Sequence, residues 1–257
     1  MIFEVENKKV FSSDVGQNFD KNKHSIILLH GSGQSHVVWS LTDQYLADEG
    51  FNVFALDLPG HGNSEGSSLK SIEEMADWLN KVVNVIGIKD LTILGHSQGC
   101  LVAIEYANKF PDNIKNLIFV AGSYQIPVNK SLIDLANAGD FESINLMMKW
   151  GYGYSKQFLG GNPLQKILNS SREIREVLAI DLIACNNYKN GISSIKKIKC
   201  PTFFVFGELD KMIKLDKGKE FSGLIPGSKT HIIKDCGHMI ICLLYKSPSP
   251  RDNSGSR

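Results

Sequence analysis

"LTILGHSQGCLVAIEYANKF", residues 91–110, decides the fold. An apolar, partly β-branched run ends at Gly95, Ser97 sits between two glycines, and "QGCLVAIEYANKF" continues as a helix. A serine hydroxyl is a weak nucleophile, so acyl-transfer enzymes hold it exposed beside an imidazole base and near backbone N–H donors. A strand feeding G-x-S-x-G and then a helix does this, because the glycines allow a strained, crowded turn that lifts the serine clear of the sheet. The five-residue pattern alone also arises as a chance turn in Gly-rich chains. The strand before it and the helix after it are the context it needs.

Working outward, four more apolar runs are bounded by turn residues: "SIILLHG" (25–31), "NVFALDLPG" (52–60), "IKNLIFVAG" (114–122) and "PTFFVFGELD" (201–210). Continuous runs of this kind suit strands buried on both faces of a parallel sheet. Between two of them, "SIEEMADWLNKVVNVI" (71–86) places Ile72, Met75, Ala76, Leu79, Val82, Val83 and Ile86 at helical spacing, with Ser71 and Glu74 as a capping box. Strand and helix alternate, so the expected class is α/β: a mostly parallel, doubly wound sheet flanked by helices.

The alternation breaks over residues 123–199. Helical patterns run over 131–138, 140–150 and about 171–189, the last with Ile174, Val177, Leu178, Leu182 and Cys185 on one face and Gly191 as a stop. This stretch reads as a helical cap inserted between two strands, leaving residues 1–122 and 200–241 as the core. Residues 242–257, within "ICLLYKSPSPRDNSGSR", mix Ser, Pro, Arg and Gly and are expected to be disordered or foreign to the fold.

Lys plus Arg number 28 and Asp plus Glu 27 in 257 residues, so no net field favours nucleic acid or an anionic membrane, and the expected partner is a small molecule. The N-terminus has no secretory pattern and no apolar run approaches a membrane span, which gives a cytoplasmic expectation. Cys100, Cys185, Cys200, Cys236 and Cys242 are scattered without CxxC spacing, arguing against a disulfide framework and a zinc site. Oligomeric state is not legible.

From about Val5 to His238 the chain resembles an α/β-hydrolase, on "LLHGSG", "DLPGHGNSEG", "GHSQG", "GELD" and "CGHM" taken together. The resemblance implies a nucleophile, acid and histidine in that chain order: Ser97, Asp210 after a late strand, and His238 in a C-terminal loop. Glu208 and Asp216 compete with Asp210 as the acid. Among the other histidines, His24, His36 and His231 lack motif context, while His30, His61 and His96 fall in motifs where loop support is the simpler role. Resemblance also implies an oxyanion hole from the backbone N–H groups of Gln98 and Ser32, and no metal or cofactor. "DLPGHGNSEG" matches neither a P-loop nor a metal motif. Trp39, Trp150, Tyr152 and Tyr154 are candidates to line a pocket under the cap.

The reading is a serine hydrolase acting on an ester-like bond, a carboxylic ester or thioester, through an acyl-enzyme. A carbon–carbon bond hydrolase of a diketone-like acid is the nearest rival; it needs groups to hold a substrate carboxylate, and Arg172 and Arg175 are the cap's only arginines. A ligand receptor or an interaction protein on the same fold are the others. Members of the resembled family continue past the histidine into a last helix; that helix is expected to be missing here, which would leave "MIICLLY" exposed.

Overall fold

Each of the five apolar runs is a strand, and a computed structural model, which describes residues 1–13, 15–16, 18–151 and 172–242, adds three more. The strands are β1 (Ile2–Val5), β2 (Lys8–Ser13), β3 (Ser25–Leu29), β4 (Asn52–Leu56), β5 (Leu91–His96), β6 (Ile114–Val120), β7 (Thr202–Gly207) and β8 (Lys229–Ile233). They form one sheet in the order β1-β2-β4-β3-β5-β6-β7-β8, parallel from β4 to β8 and antiparallel at β1–β2 and β2–β4. Strands β3, β4 and β5 are buried at every residue, as expected of strands covered on both faces.

The chain leaves β3 for β4 on one side, then returns to β5 on the other. Such a reversal opens a crevice at the carboxyl ends of the two central strands. The loop after β3, with Gly31 to Gly33, and Ser97 after β5 both lie there.

Helices α2 (Ile72–Ile86) and α3 (Gln98–Lys109) cover one face of the sheet, joined by α8 (Leu215–Gly223), whose Phe221 packs among Phe119, Phe204 and Phe206. On the other face lie α1 (Thr42–Asp48) and two short turns, His36–Trp39 and Ile240–Cys242. The expected cap of α2 is present in a shifted form. Ser71 Oγ accepts from Glu74 N at 3.1 Å, while the Glu74 carboxylate accepts from Lys70 N at 2.7 Å rather than from Ser71.

Between β6 and β7 run α4 (Lys130–Asn137), α5 (Glu142–Gly151), α6 (Arg172–Asn187) and α7 (Gly191–Ile195). The first three share a small core of their own, Leu132, Ala136, Ile144, Leu178, Ala179 and Leu182. Val177, Leu178, Leu182 and Cys185 are buried as the spacing predicts; the side chain of Ile174 lies outside the described residues.

Three expectations are corrected. Gly191 does not stop α6, which ends at Asn187; it opens α7, where a Cβ would collide with the carbonyl oxygen of Tyr124. The N-terminus is a hairpin that the strand reading passed over, turning at Glu6 and Asn7 with φ of 51° and 61°. The apolar stretch after His238 begins buried, with Met239, Ile240 and Ile241 at 7, 0 and 2% exposure, because the Ile240–Cys242 turn packs beside Trp39. Residues 243–257 of the expected tail lie outside the described residues. Among the described residues no helix is long and apolar enough to cross a membrane.

Candidate active site

Ser97 joins β5 to α3 at φ 52° and ψ −114°, a backbone conformation that costs a non-glycine residue about 1–3 kcal/mol. Its two flanking glycines permit the crowding. A Cβ on Gly95 would strike the Gly99 carbonyl, and one on Gly99 would strike that of Leu29, so strand and helix approach closer than any side chain allows. Gly122 makes the same allowance for Cys100, whose thiol burial pushes up and which donates to Gly95 O at 3.1 Å.

The loop after β7 and the loop after β8 meet for a similar reason. Gly207 has no room for a Cβ against the carbonyls of Cys236 and Gly237, and Leu209 N bonds Cys236 O at 2.8 Å. This brings Asp210 Oδ2 to 2.8 Å from His238 Nδ1, both side chains nearly fully buried. Oδ1 of Asp210 accepts from Met212 N and Ile213 N, each at 2.8 Å, which fixes the carboxylate plane. Since a carboxylate accepts, Nδ1 carries the proton and Nε2 remains. Glu208 and Asp216 are exposed and take no part.

His96, beside the candidate nucleophile, braces this loop. Burial, first, and the nearby His238 lower its pKa to about 3, so it is neutral, and its Nε2–H donates to His238 O at 3.1 Å. His30 is likewise neutral, lowered to about 4 chiefly by burial. Leu58 N donates to its Nε2 at 3.2 Å, so Nδ1–H donates to Gly31 O at 2.9 Å. His36 donates from backbone and ring to Asp57, whose carboxyl stays below its usual range despite burial because His36 and Asn63 hydrogen-bond it. These three histidines support loops, as does His61, described next.

His61 donates to Pro59 O at 3.0 Å through Nδ1 and meets Asp181 Oδ2 at 2.9 Å through Nε2. The same oxygen accepts from Gly33 N at 2.8 Å. Asp181 belongs to α6 and is completely buried; sequence reasoning missed it. The signal was there, since a carboxylate three residues after Leu178 and four before Cys185 falls on that helix's apolar face.

Ser97 and His238 line one cavity of about 40 Å³ with Gly31, Ser32, Gly33, Gln34, Ile144, Met147, Met148, Leu178, Met212 and Met239. Among the described residues Ser97 Oγ makes no hydrogen bond, and neither the Ser32 nor the Gln98 N–H donates to another protein group. Gln98 is the first residue of α3, where an N–H has no helical acceptor. Among the described lining residues methionines, not the expected aromatics, stand beside the apolar cap residues. Trp39 is a core residue set edge-on to His96, Trp150 packs against the α4–α6 core, and Tyr152 and Tyr154 lie outside the described residues. No group of three or more potential metal-ligating side chains occurs among the described residues.

A family model described as alpha/beta hydrolase fold matches residues 24–143. Among curated proteins the chain is 26% identical over 248 residues to a 2-hydroxy-6-oxononadienedioate/2-hydroxy-6-oxononatrienedioate hydrolase of Escherichia coli (strain K12), covering 90% of this chain and 84% of that protein. The protein of the same name from Klebsiella pneumoniae is 27% identical over 234 residues, 84% of this chain and 81% of that one. Among solved structures, an enol-lactonase from Burkholderia xenovorans LB400 superposes with a TM-score of 0.79 at 19% identity, covering 93% of each chain. An esterase from Exiguobacterium antarcticum gives 0.78 at 19% identity, over 92% of this chain and 91% of that one. With the sheet order and the strand–turn–helix at Ser97, these matches show that the chain has the α/β-hydrolase fold.

Proposed function

We propose that this protein is a serine hydrolase that cleaves an ester-like bond, a carboxylic ester or thioester, of a small molecule. The observation that carries the reading is Ser97 on its strained turn at the cavity that His238 also lines, with His238 held 2.8 Å from Asp210, and with the backbone N–H groups of Ser32 and Gln98 without a partner among the described residues. Ser97 Oγ attacks the carbonyl as His238 Nε2 takes its proton; Asp210 holds the tautomer and the imidazolium. Ser32 and Gln98 N–H stabilise the oxyanion, His238 returns the proton to the leaving group, and water resolves the acyl-enzyme by the same route. The contact between Oγ and Nε2, open here, closes when substrate fills the site. Residues 123–199 act as the cap, since Ile144, Met147, Met148 and Leu178 form the cavity's apolar side.

The curated relatives, whose name specifies a dioic acid, favour a second reading, a carbon–carbon bond hydrolase. Against it, no Lys or Arg stands among the described lining residues, and burying an unpaired carboxylate costs several kcal/mol. The lining suits an apolar acyl group instead. At about 40 Å³ the cavity holds roughly three water-sized groups, so a short chain is expected, with methionines giving some adaptability.

Wild type and Ser97→Ala are treated with a fluorophosphonate, then assayed on p-nitrophenyl esters from acetate to octanoate and on a 2-hydroxy-6-oxo dienedioic acid. Expected are an adduct on Ser97, repeated turnover lost in Ser97→Ala, and higher kcat/KM for acetate or butyrate than for octanoate. Equal turnover by Ser97→Ala overturns the mechanism. Faster turnover of the diacid moves the function to the second reading, and labelling with a single turnover moves it to a receptor.

A further inference from the structure

The loop that offers Ser32 N–H to the cavity is short, glycine-flanked and held from both sides. Because the peptide unit is planar and trans, the direction of Ser32 N–H is opposite to that of Gly31 C=O. That carbonyl accepts from His30 Nδ1 at 2.9 Å and from Gln34 N at 3.1 Å. Among the described residues the following peptide, Ser32 to Gly33, is held only through Gly33 N, which donates to Asp181 Oδ2 at 2.8 Å. Gly33 sits at φ 65°, and without a Cβ it rotates easily once that bond is gone.

Helix α6 grips the loop at two further points. Leu178 packs where a Gly33 Cβ would stand, and Cys185 Sγ lies 3.6 Å from Ser32 Oγ. The carboxylate sits between them and is oriented by His61 Nε2 at 2.9 Å. Among the described residues Asp181 Oδ1 has no partner, so the group's bonding is concentrated on the one oxygen that meets both Gly33 and His61. A pair whose role was only to hold α6 down would be served as well by apolar packing.

We propose that Asp181 is a positioning residue: by holding Gly33 N–H, its carboxylate fixes the Ser32–Gly33 peptide and so anchors the far side of Ser32, keeping the preceding peptide, whose Ser32 N–H faces the developing oxyanion, from swinging with the loop. This rests on the serine-hydrolase reading above. Asp181 touches no substrate and acts through the loop. Its loss therefore weakens transition-state binding more than ground-state binding, because the oxyanion forms only in the transition state.

The test compares Asp181→Ala, Asp181→Asn and Leu182→Ala, the last loosening the same helix at a buried position outside the cavity and leaving the Gly33 bond intact. For each, kcat and KM are measured on p-nitrophenyl acetate, together with Ki for a trifluoromethyl ketone, whose serine adduct places an oxyanion in the hole. Amide hydrogen exchange over residues 31–34 is followed in parallel. Asp181→Ala is expected to lose about 10–100-fold in kcat with KM within about twofold. Ki should weaken by the same factor and residues 31–34 should exchange faster. Asp181→Asn, which keeps an acceptor for Gly33 N–H, recovers most of the loss, and Leu182→Ala lowers Tm without these changes.

The proposal is overturned if Asp181→Ala matches Leu182→Ala in kcat, Ki and loop exchange. If wild type has no Ser97-dependent turnover, the serine-hydrolase reading fails by itself and the catalytic role falls with it. Exchange at 31–34 then still reports whether Asp181 orders the loop.

Discussion

Two buried histidine–aspartate pairs stand beside one cavity, Asp210–His238 at 2.8 Å and Asp181–His61 at 2.9 Å, with every partner at most 3% exposed by side chain. Distance and burial do not tell them apart. Their second ring nitrogens do. His61 gives Nδ1 to Pro59 O and Nε2 to Asp181, so both nitrogens are committed within the protein. His238 gives only Nδ1, and among the described residues nothing takes its Nε2, while the ring lines the cavity next to Ser97. A histidine with a free nitrogen at a cavity can move a proton; one with none left is a strut.

The sharpest way to break that contrast is to remove each ring in turn. His238→Asn is expected to lose on the order of 10⁴–10⁶ in kcat on p-nitrophenyl acetate while keeping a cooperative melt. His61→Asn should do the reverse. It leaves Asp181 buried without a charge partner, at a cost of about 3–5 kcal/mol in stability, while kcat falls no more than about 100-fold, through the loop. Thermal melts and steady-state kinetics on both variants check this. A kcat for His61→Asn as low as that of His238→Asn would erase the distinction.

A second, smaller effect separates the paired histidines from the buried unpaired ones. His30 and His96 have pKa values lowered by burial to about 4 and about 3, so the unfolded chain binds protons that the folded chain refuses. Their contribution is complete above the unfolded pKa of about 6.5 and is lost as pH falls toward the folded values, on the order of 3 kcal/mol each. Tm should drop steeply between about pH 6.5 and 4. A flat Tm over that window would mean that water reaches these rings.

Much of this was legible because it lies in local pattern. The five apolar runs, the strand–serine–helix turn and the capped helix from Ile72 are each written in contiguous residues, and each is present. The approach of Asp210 to His238 followed from resemblance; their spacing of 28 residues carries no geometry of its own. What escaped lies across the chain. Asp181 meets His61 from 120 residues away, and only the fold makes its place on an apolar helix face intelligible. Trp39 is a candidate for lining or for packing in the sequence alone, and the structure makes it packing, buried edge-on to His96. The hairpin at Glu6 and Asn7 has the turn chemistry of a tight reversal, but its strands are short and half exposed.

The least of the three effects lies on the alkaline side and belongs to the strut alone. Burial disfavours the charged His61 ring, but the Asp181 charge and hydrogen bond, helped by Pro59 O, outweigh it and raise its pKa above the ordinary value. The groups that face it are Asp181 from α6 and Asp57 from the loop after β4, both raising it, and the His30 ring just after β3, whose own pKa the charged His61 lowers. A raised histidine stabilises fully below its unfolded pKa, and that stabilisation is lost as pH climbs through the folded pKa. Wild type should therefore lose stability above neutrality, and Asp181→Asn should lose less, since its His61 no longer faces a charge. Loop exchange at residues 31–34 should accelerate over the same alkaline range in wild type, because the carboxylate that gives up its imidazolium partner is the one holding Gly33. Equal alkaline slopes in wild type and Asp181→Asn would show that the pair holds no proton worth losing, and would leave the two histidine–aspartate pairs distinguished by geometry alone.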